Sequence, residues 1–538
     1  MFFFSSLPFI YSDAFIDPVL IPRQAYLTCF VSFVFFCLFF TKNFKKLSCQ
    51  ISLFSLVIIS CSALLLVLSF ISITYAHSFS ESIYVASKYG IVFVFFIITY
   101  FLLNAHLIRR VDLINGVLVF GIISLCYGIY DVVFLITADL NVLSNAHLIT
   151  ATYANKNLFA SALLLCAWAF CCRRTNNYLK AILIFSLAAF VVLLQSKIVT
   201  VAFGFMFLMF SIKLLILNFK NNKTIIIAIS VLVIGFLYFI LFNFSKFENL
   251  SDLHSLSTRL SLWENSFKMI QEKAFGVGVG NWQIFFPKYG LSKFDSLDVR
   301  NGITTYQRPH NDFIWMLCEL GVQGLILYSL IFCVVGVMLI RLIRKAKALI
   351  PLILLLNIIG YCMVASFDFP LERIEHQVLF AVVILISMNL HDSNSLKKIE
   401  IGTVKYTPAY VALILVSFVV CCYRLKGEYY TKQFLHLNKE KYSELVIANC
   451  NKAHSPFYTI DSATIPLDWY AGISLFSQNR IEEALKGLEQ AHEYTPYNIH
   501  ILKNLGVIYD KKGDHIKAVE YYNKAVEISS AAIIPTLK

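Results

Sequence analysis

Charge is what this sequence has least of. Only 14% of its 538 residues are Asp, Glu, Lys or Arg, against 58% hydrophobic, and the mean hydropathy is +0.71. A soluble domain carries roughly 25% charged residues, so the chain reads as a polytopic membrane protein. It also lacks any Cys-x-x-Cys pair or Cys/His ligand spacing, which argues against a zinc site and a disulfide framework. Its cysteines fall mostly inside apolar runs, as at Cys166, Cys171, Cys172, Cys333, Cys421 and Cys422, where they act as small soft apolar residues. The N-terminus has neither a basic stretch nor a small-residue cleavage site, so a cleaved signal peptide is not expected. Acid is scarcer than base, and the net charge is +13. Most of that excess sits in short loops between apolar runs, where it sets topology and is no signal for nucleic acid.

Apolar runs of spanning length lie near 24–41, 51–75, 82–104, 112–136, 157–172, 178–195, 197–217, 224–244, 313–340, 349–366, 376–390 and 408–423. They predict an all-α protein of about twelve transmembrane helices. The apolar start, Met1 to Ile10, is too short to span and is expected to rest in the interface. Basic residues cluster in alternate loops: Lys42/Lys45/Lys46, Arg109/Arg110, Arg173/Arg174/Lys180, Lys220/Lys223, Arg341/Arg344/Lys345/Lys347 and Lys397/Lys398/Lys405. Positive loops stay cytoplasmic, which places the others outside, including 137–156, the tight turn Gln195-Ser196-Lys197, the long loop 245–310 and 367–375. Both chain ends are then outside as well.

The membrane part is expected to fill 1–423, and 424–538 reads as a soluble helical-repeat domain on the outer side. Gly472 and Gly506 are 34 residues apart, as are Ala484 and Ala518, Leu488 and Tyr522, and Ala491 and Ala525. That is the tetratricopeptide period. It gives two repeats, 465–498 and 499–532, preceded by a degenerate helical pair near 428–455.

Chemistry concentrates in the outer loop 245–310. Its end, Arg308-Pro309-His310-Asn311-Asp312-Phe313, sets a guanidinium, an imidazole, an amide and a carboxylate at the mouth of a long apolar helix. Polar groups are costly there and point to function, and imidazole can exchange a proton near neutral pH. Upstream, Arg259 opens an amphipathic stretch with Leu262, Trp263, Phe267 and Ile270 on one face, suited to lying on the membrane surface. Gly276, Gly278 and Gly280 alternate without forming a Rossmann or P-loop pattern and read as a flexible turn. Lys197 is a positive charge in a tight outer turn, against the usual bias, and suits an anionic lipid-linked substrate. Asp368 is a candidate second carboxylate facing the site, whereas Glu372, Arg373 and Glu375 read as structural. Gly321 and Gly324 would permit close helix packing. Few charges fall in mid-span and the spans show no internal repeat, which speaks against a transporter.

His310-Asn311-Asp312-Phe313 followed by Glu319-Leu320-Gly321 and Gly324 resembles the signature of the O-antigen ligase and polymerase superfamily. Arg259 with Trp263, the Gly276–Gly280 stretch and Asn155-Lys156-Asn157 match in order and spacing, over roughly residues 20 to 425. The resemblance implies a GT-C-type glycosyltransferase of the bacterial inner membrane. Such an enzyme needs no metal, cofactor or nucleotide sugar, and moves a glycan from undecaprenyl diphosphate to an acceptor hydroxyl at the periplasmic face. The acceptor would be lipid A core, a protein Ser or Thr, or a growing glycan. The family's essential histidine maps onto His310 and one essential arginine onto Arg259, with Lys197 where a second arginine is expected. Lysine there keeps the charge but loses the bidentate fork. Arg308, Asn311, Asp312, Trp263 and Asp368 complete the expected substrate-binding set. The repeats would offer a surface to a protein partner.

Overall fold

The computed structural model describes residues 3–40, 48–172, 177–218, 250–346, 349–393, 395, 399–402, 406–437, 441–530 and 532. The expected span 224–244, the loop start 245–249 and the basic clusters Lys42/Lys45/Lys46, Arg173/Arg174, Lys220/Lys223, Lys347 and Lys397/Lys398/Lys405 lie outside the described residues. The rest is nearly all helix: α1 Leu20–Phe39, α2 Leu53–Ser72, α3 Phe79–Asn104, α4 Arg110–Thr137, α5 Lys156–Cys172, α6 Asn177–Leu193, α7 Lys197–Asn218, α8 Leu250–Glu272, α9 Asp312–Ala346, α10 Leu349–Ala365, α11 Ile374–Ser393 and α12 Thr407–Leu435. A smaller set follows: α13 Ser443–Ala453, α14 Leu467–Ser477, α15 Ile481–Tyr494, α16 Ile499–Lys511 and α17 His515–Ile528.

Among the described residues, seven helices are long and apolar enough to cross a membrane (α1, α2, α3, α4, α9, α11 and α12), with three shorter apolar helices beside them. Large apolar side chains such as Phe33, Phe36, Phe134 and Phe185 stand exposed on the outer faces of helices. Such a surface suits lipid and not water. The short start of the chain packs against the bundle. Phe4 is buried and its ring fills the space where Gly116 of α4 lacks a side chain.

The bundle has two distinct ends. At one, β1 (Ser48–Ile51) pairs antiparallel with β2 (Ile399–Gly402). Asp392 of α11 there accepts from Ser52 N, Ser55 Oγ and Tyr100 Oη. Arg110, Arg341 and Arg344 belong to this end. At the other end, Arg23 of α1 pairs with Glu375 of α11 at 2.8 Å and Glu81 of α3 pairs with Arg424 of α12. The start of α9, the end of α10 and the repeats lie at this second end. From α9 to α12 the chain runs from one end to the other with each helix.

α12 continues unbroken from an apolar first half across residue 424 to Leu435. The repeats α14–α15 and α16–α17 are helical hairpins. Ala484 and Ala518 are fully buried, and a Cβ on Gly472 would stand 3.0 Å from Leu488. On Gly506 a Cβ would meet the Tyr522 ring at 2.4 Å. Small residues at these positions are what lets the paired helices close.

Candidate active site

The site is built on an interruption of α9. Gly321 has φ 69° and ψ −169°, so the helix breaks there. A break frees carbonyls of the preceding turn, and buried carbonyls need partners. The glycine stretch supplies them: Val277 N donates to Cys318 O at 2.9 Å and Gly278 N to Glu319 O at 3.0 Å. Gly276, Gly278 and Gly280 all have φ between 77° and 90°. A Cβ would meet Glu319 O at 2.3 Å on the first, Ala76 at 2.6 Å on the second and Glu81 O at 2.7 Å on the third. The expected flexible turn is therefore a rigid clasp locked between the α2–α3 turn and the broken helix. Asn281 fastens its end, accepting from Ser78 N at 2.7 Å and donating to Ser82 Oγ at 2.7 Å.

α8 packs on this clasp. Leu262 and Met269 are buried among Trp282, Phe286 and Trp315, while Phe267 and Leu260 stand exposed. The expected single face of Leu262, Trp263, Phe267 and Ile270 is thus divided, because the clasp takes Leu262 before lipid can. Trp263 donates from Nε1 to Pro309 O at 3.0 Å and so fixes the backbone just before His310.

His310 is strained. Its φ is 53°, in the left-handed region that non-glycine residues seldom occupy. Such strain tends to collect at functional sites. The ring sits edge-on to Phe369 at 4.9 Å, and Nδ1 lies 3.7 Å from Asp368 Oδ1, long for a hydrogen bond. The structure therefore brings Asp368 to His310. Asn311 caps α9 through Ile314 N at 3.0 Å and donates to Ser366 O at 2.9 Å. Asp312 is buried and accepts from Leu371 N at 3.1 Å. These two residues pin the 366–373 loop against the head of α9.

Arg308 donates to Glu372 Oε2 at 2.9 Å and Gln283 Oε1 at 3.1 Å, and lies 5.0 Å from the centre of the Trp315 ring. Glu372 is also 3.1 Å from the ammonium of Lys88. Burial alone would raise the Glu372 pKa, but the charges of Arg308 and Lys88 overcome it and hold the carboxyl at about 2. Arg308 shifts upward: burial opposes its charge, yet the Glu372 carboxylate outweighs that cost. Glu372 and Arg373, expected to be merely structural, both face a polar cavity of about 320 Å³ beside His310. Asp17, Glu81, Arg424, Glu428 and Asp461 also line it.

The sequence reading missed most of this wall. Glu81 is buried in the first turn of α3, and Glu428 and Arg424 sit where α12 leaves the apolar bundle; behind the wall, Lys88 and Arg23 are buried in apolar helices and pair with Glu372 and Glu375. A charge embedded within a span, as at Lys88, is the signal that could have found them. Arg259 is one helical turn before Trp263, so it shares that face of α8. It donates to Ser255 Oγ at 3.2 Å and does not line the cavity. Lys197 begins α7 and also stays off the cavity wall, although its turn is at the same end: Gln195 Nε2 donates to Leu143 O at 3.1 Å. Among the described residues no group of three His, Cys, Asp or Glu side chains could hold a metal ion.

Residues 181–329 match the family model described as O-antigen ligase, and residues 500–530 match that of the tetratricopeptide repeat. The first match includes Lys197, Arg259, Trp263, Arg308, His310, Asn311 and Asp312 and ends before Asp368. The chain is also similar to the photosystem I assembly protein Ycf3 of Cuscuta gronovii and of Cuscuta obtusiflora, at 42% identity over 59 residues. That covers 10% of this chain and 35% of each relative, so the chain spans about a third of the length of the curated relatives it matches. The resemblance read from the sequence is borne out: the chain carries an O-antigen ligase region in its membrane part and a tetratricopeptide repeat at its C-terminal end.

Proposed function

We propose that this protein is a glycosyltransferase of the bacterial inner membrane, with a GT-C-type fold, that transfers a glycan from undecaprenyl diphosphate to an acceptor hydroxyl at the periplasmic face. The observation that carries this reading is His310, a strained residue of the O-antigen ligase region set beside Asp368 on the rim of a polar cavity. The acceptor oxygen bonds to the anomeric carbon as the bond from that carbon to the diphosphate breaks. His310 takes the hydroxyl proton on Nε2 while Asp368 steadies the opposite edge of the ring. The departing diphosphate keeps the electron pair, and Arg259 and Lys197 neutralise its charge in place of a metal. Arg308, Asn311, Asp312 and Trp263 hold the histidine loop in place.

Lipid A core is the preferred acceptor. Transfer to protein Ser or Thr is the second reading, motivated by the repeats at the site's end of the bundle, and extension of a glycan is the third. A non-enzymatic transporter or scaffold is disfavoured, because among the described residues the buried ion pairs Arg23–Glu375, Lys88–Glu372 and Glu81–Arg424 gather at the His310 end of the bundle. The test is His310→Ala and Arg259→Ala in the native host, with lipopolysaccharide and glycoprotein profiles compared. Loss of one class of product names the acceptor, and intact profiles for both variants refute the enzyme.

A further inference from the structure

The repeats do not hang free of the membrane part. A strap, residues 455–466, joins α13 to the first repeat and lies directly on the site. Its Tyr458 is buried against Gly427, where a Cβ would stand 2.2 Å from the ring. Thr459 Oγ1 bonds Ser80 Oγ at 2.8 Å, Ser462 O accepts from Gln307 Nε2 at 2.5 Å, and Thr464 Oγ1 donates to Gln283 Oε1 at 3.1 Å. Gln307 is the residue before Arg308, and Gln283 is the residue that also accepts from Arg308. Thr464 is buried with φ 67°. For a β-branched side chain that is a true outlier, maintained only where surrounding contacts over-determine it. Asp461 holds this bend by accepting from Ala463 N at 2.9 Å, Ile465 N at 2.8 Å and the Tyr470 hydroxyl at 2.9 Å.

The strap thereby closes one side of the His310 cavity with Asp461 and Ser462. Around the cavity several buried polar atoms have no hydrogen-bond partner: Arg373 Nε and Nη1, Arg424 Nε and Thr305 Oγ1. Unfilled buried donors are costly, and a ligand that accepts and donates would satisfy them. The wall's three arginines are all engaged by carboxylates, Arg424 by Glu81, Arg308 by Glu372, and Arg373 by Asp17 at 3.6 Å, while among the described residues Glu428 and Asp461 accept only from neutral N–H and O–H groups. A wall whose cations are all engaged and whose carboxylates outnumber them disfavours an anion and suits a neutral polyhydroxyl. Its volume is at the small end of ligand pockets, about 300–1,000 Å³, and suits a single sugar unit.

Resting on the transferase reading above, we infer that this cavity is the acceptor subsite, that it takes a neutral sugar unit presenting its hydroxyl to His310, and that the repeat module's strap forms part of it. The repeats then act first as a wall of the site.

The test uses the full chain in nanodiscs with an undecaprenyl-diphosphate-linked glycan as donor. Two acceptors are compared, rough lipopolysaccharide bearing lipid A core and a Ser-containing peptide. Wild type should transfer to the lipopolysaccharide. Thr464→Val and Gln307→Ala, which cut the strap's hydrogen bonds to Gln283 and Gln307, should raise the acceptor KM about tenfold while the donor KM stays put. Thr464→Ser should restore the wild-type value, which separates the lost hydroxyl from misfolding. Transfer to the peptide alone, or an unchanged acceptor KM in both strap variants, overturns the inference and leaves the transferase reading intact. Failure of wild type to consume donor with either acceptor removes the transferase reading itself, and the inference with it.

Discussion

The two ends of the bundle both bury carboxylates, and they do so for opposite ends. At the basic end, Asp392 is enclosed by Ser52, Ser55 and Tyr100, each aimed at one of its oxygens. Nothing around it is left over, so the group acts as a staple between α2, α3 and α11. At the His310 end, the pairs Glu372 with Arg308 and Lys88, and Glu81 with Arg424, leave donors unfilled around a cavity. Buried charge on its own is thus a poor marker of function. Buried charge that the protein does not finish satisfying is a better one.

The largest expected effect comes from His310→Ala. Glycan transfer should fall at least about a hundredfold, the usual share of a positioned proton acceptor, while thermal unfolding in detergent barely moves. Equal loss of stability would reduce His310 to a structural residue. Next is Glu372→Ala, which strands Arg308 and Lys88 in a buried setting. Breaking such a pair costs about 3–5 kcal/mol, read as a lowered unfolding midpoint together with lost transfer. Arg308 and Lys88 hold the Glu372 carboxyl at about 2 in the folded protein, below the usual 4.5. Its contribution is complete above pH 4.5 and drains away as pH falls from 4.5 through 2. The stability gap between wild type and Glu372→Ala should close across that window, and a gap that persists at pH 2 would contradict the ion-pair account. Asp392→Ala should cost about 1–3 kcal/mol through its orphaned donors, yet leave transfer per folded molecule unchanged. A selective loss of transfer there would erase the distinction between the two ends. The smallest effect is expected from Lys197→Arg, which restores the fork that binds diphosphate. The donor KM should fall a few-fold, and a rise would take Lys197 out of donor binding.

Much of this arrangement was legible in the residues. Apolar runs gave the all-helical character, though seven and not twelve helices of spanning length stand among the described residues, and the 34-residue spacing gave the repeats, with Gly472 and Gly506 at the close contacts. His310, Asp368 and Arg308 were identifiable because polar side chains at a span's mouth are conspicuous. Lys88, Glu81 and Arg424 were not, because their partners are 284, 343 and 343 residues away in the chain, and sequence proximity says nothing about such pairs. The strap was missed for a different reason. Ser462 and Thr464 are ordinary loop residues, and only the tertiary structure brings them to Gln307 and Gln283. The glycine stretch misled because alternating glycines can mean either freedom or close approach. Here every one of them touches neighbouring backbone or a neighbouring side chain.

The clasp also bears on how much this loop can change in length. With Gly276 to Gly280 fixed to α9 and to the α2–α3 turn, the segment between α8 and α9 is pinned at a single post. Closing a flexible segment costs only about 0.6 kcal/mol more for each doubling of its length. That tolerance does not extend to α8, whose Leu262 and Met269 are packed on the clasp and whose Trp263 holds Pro309, so length changes are cheap only in exposed stretches such as Asp295 to Asp298. A single insertion within the five-residue post would shift which amide meets Cys318 O and Glu319 O, and the break in α9 would lose its partners. Homologous chains should vary in length in such exposed stretches and hold the post to a constant length.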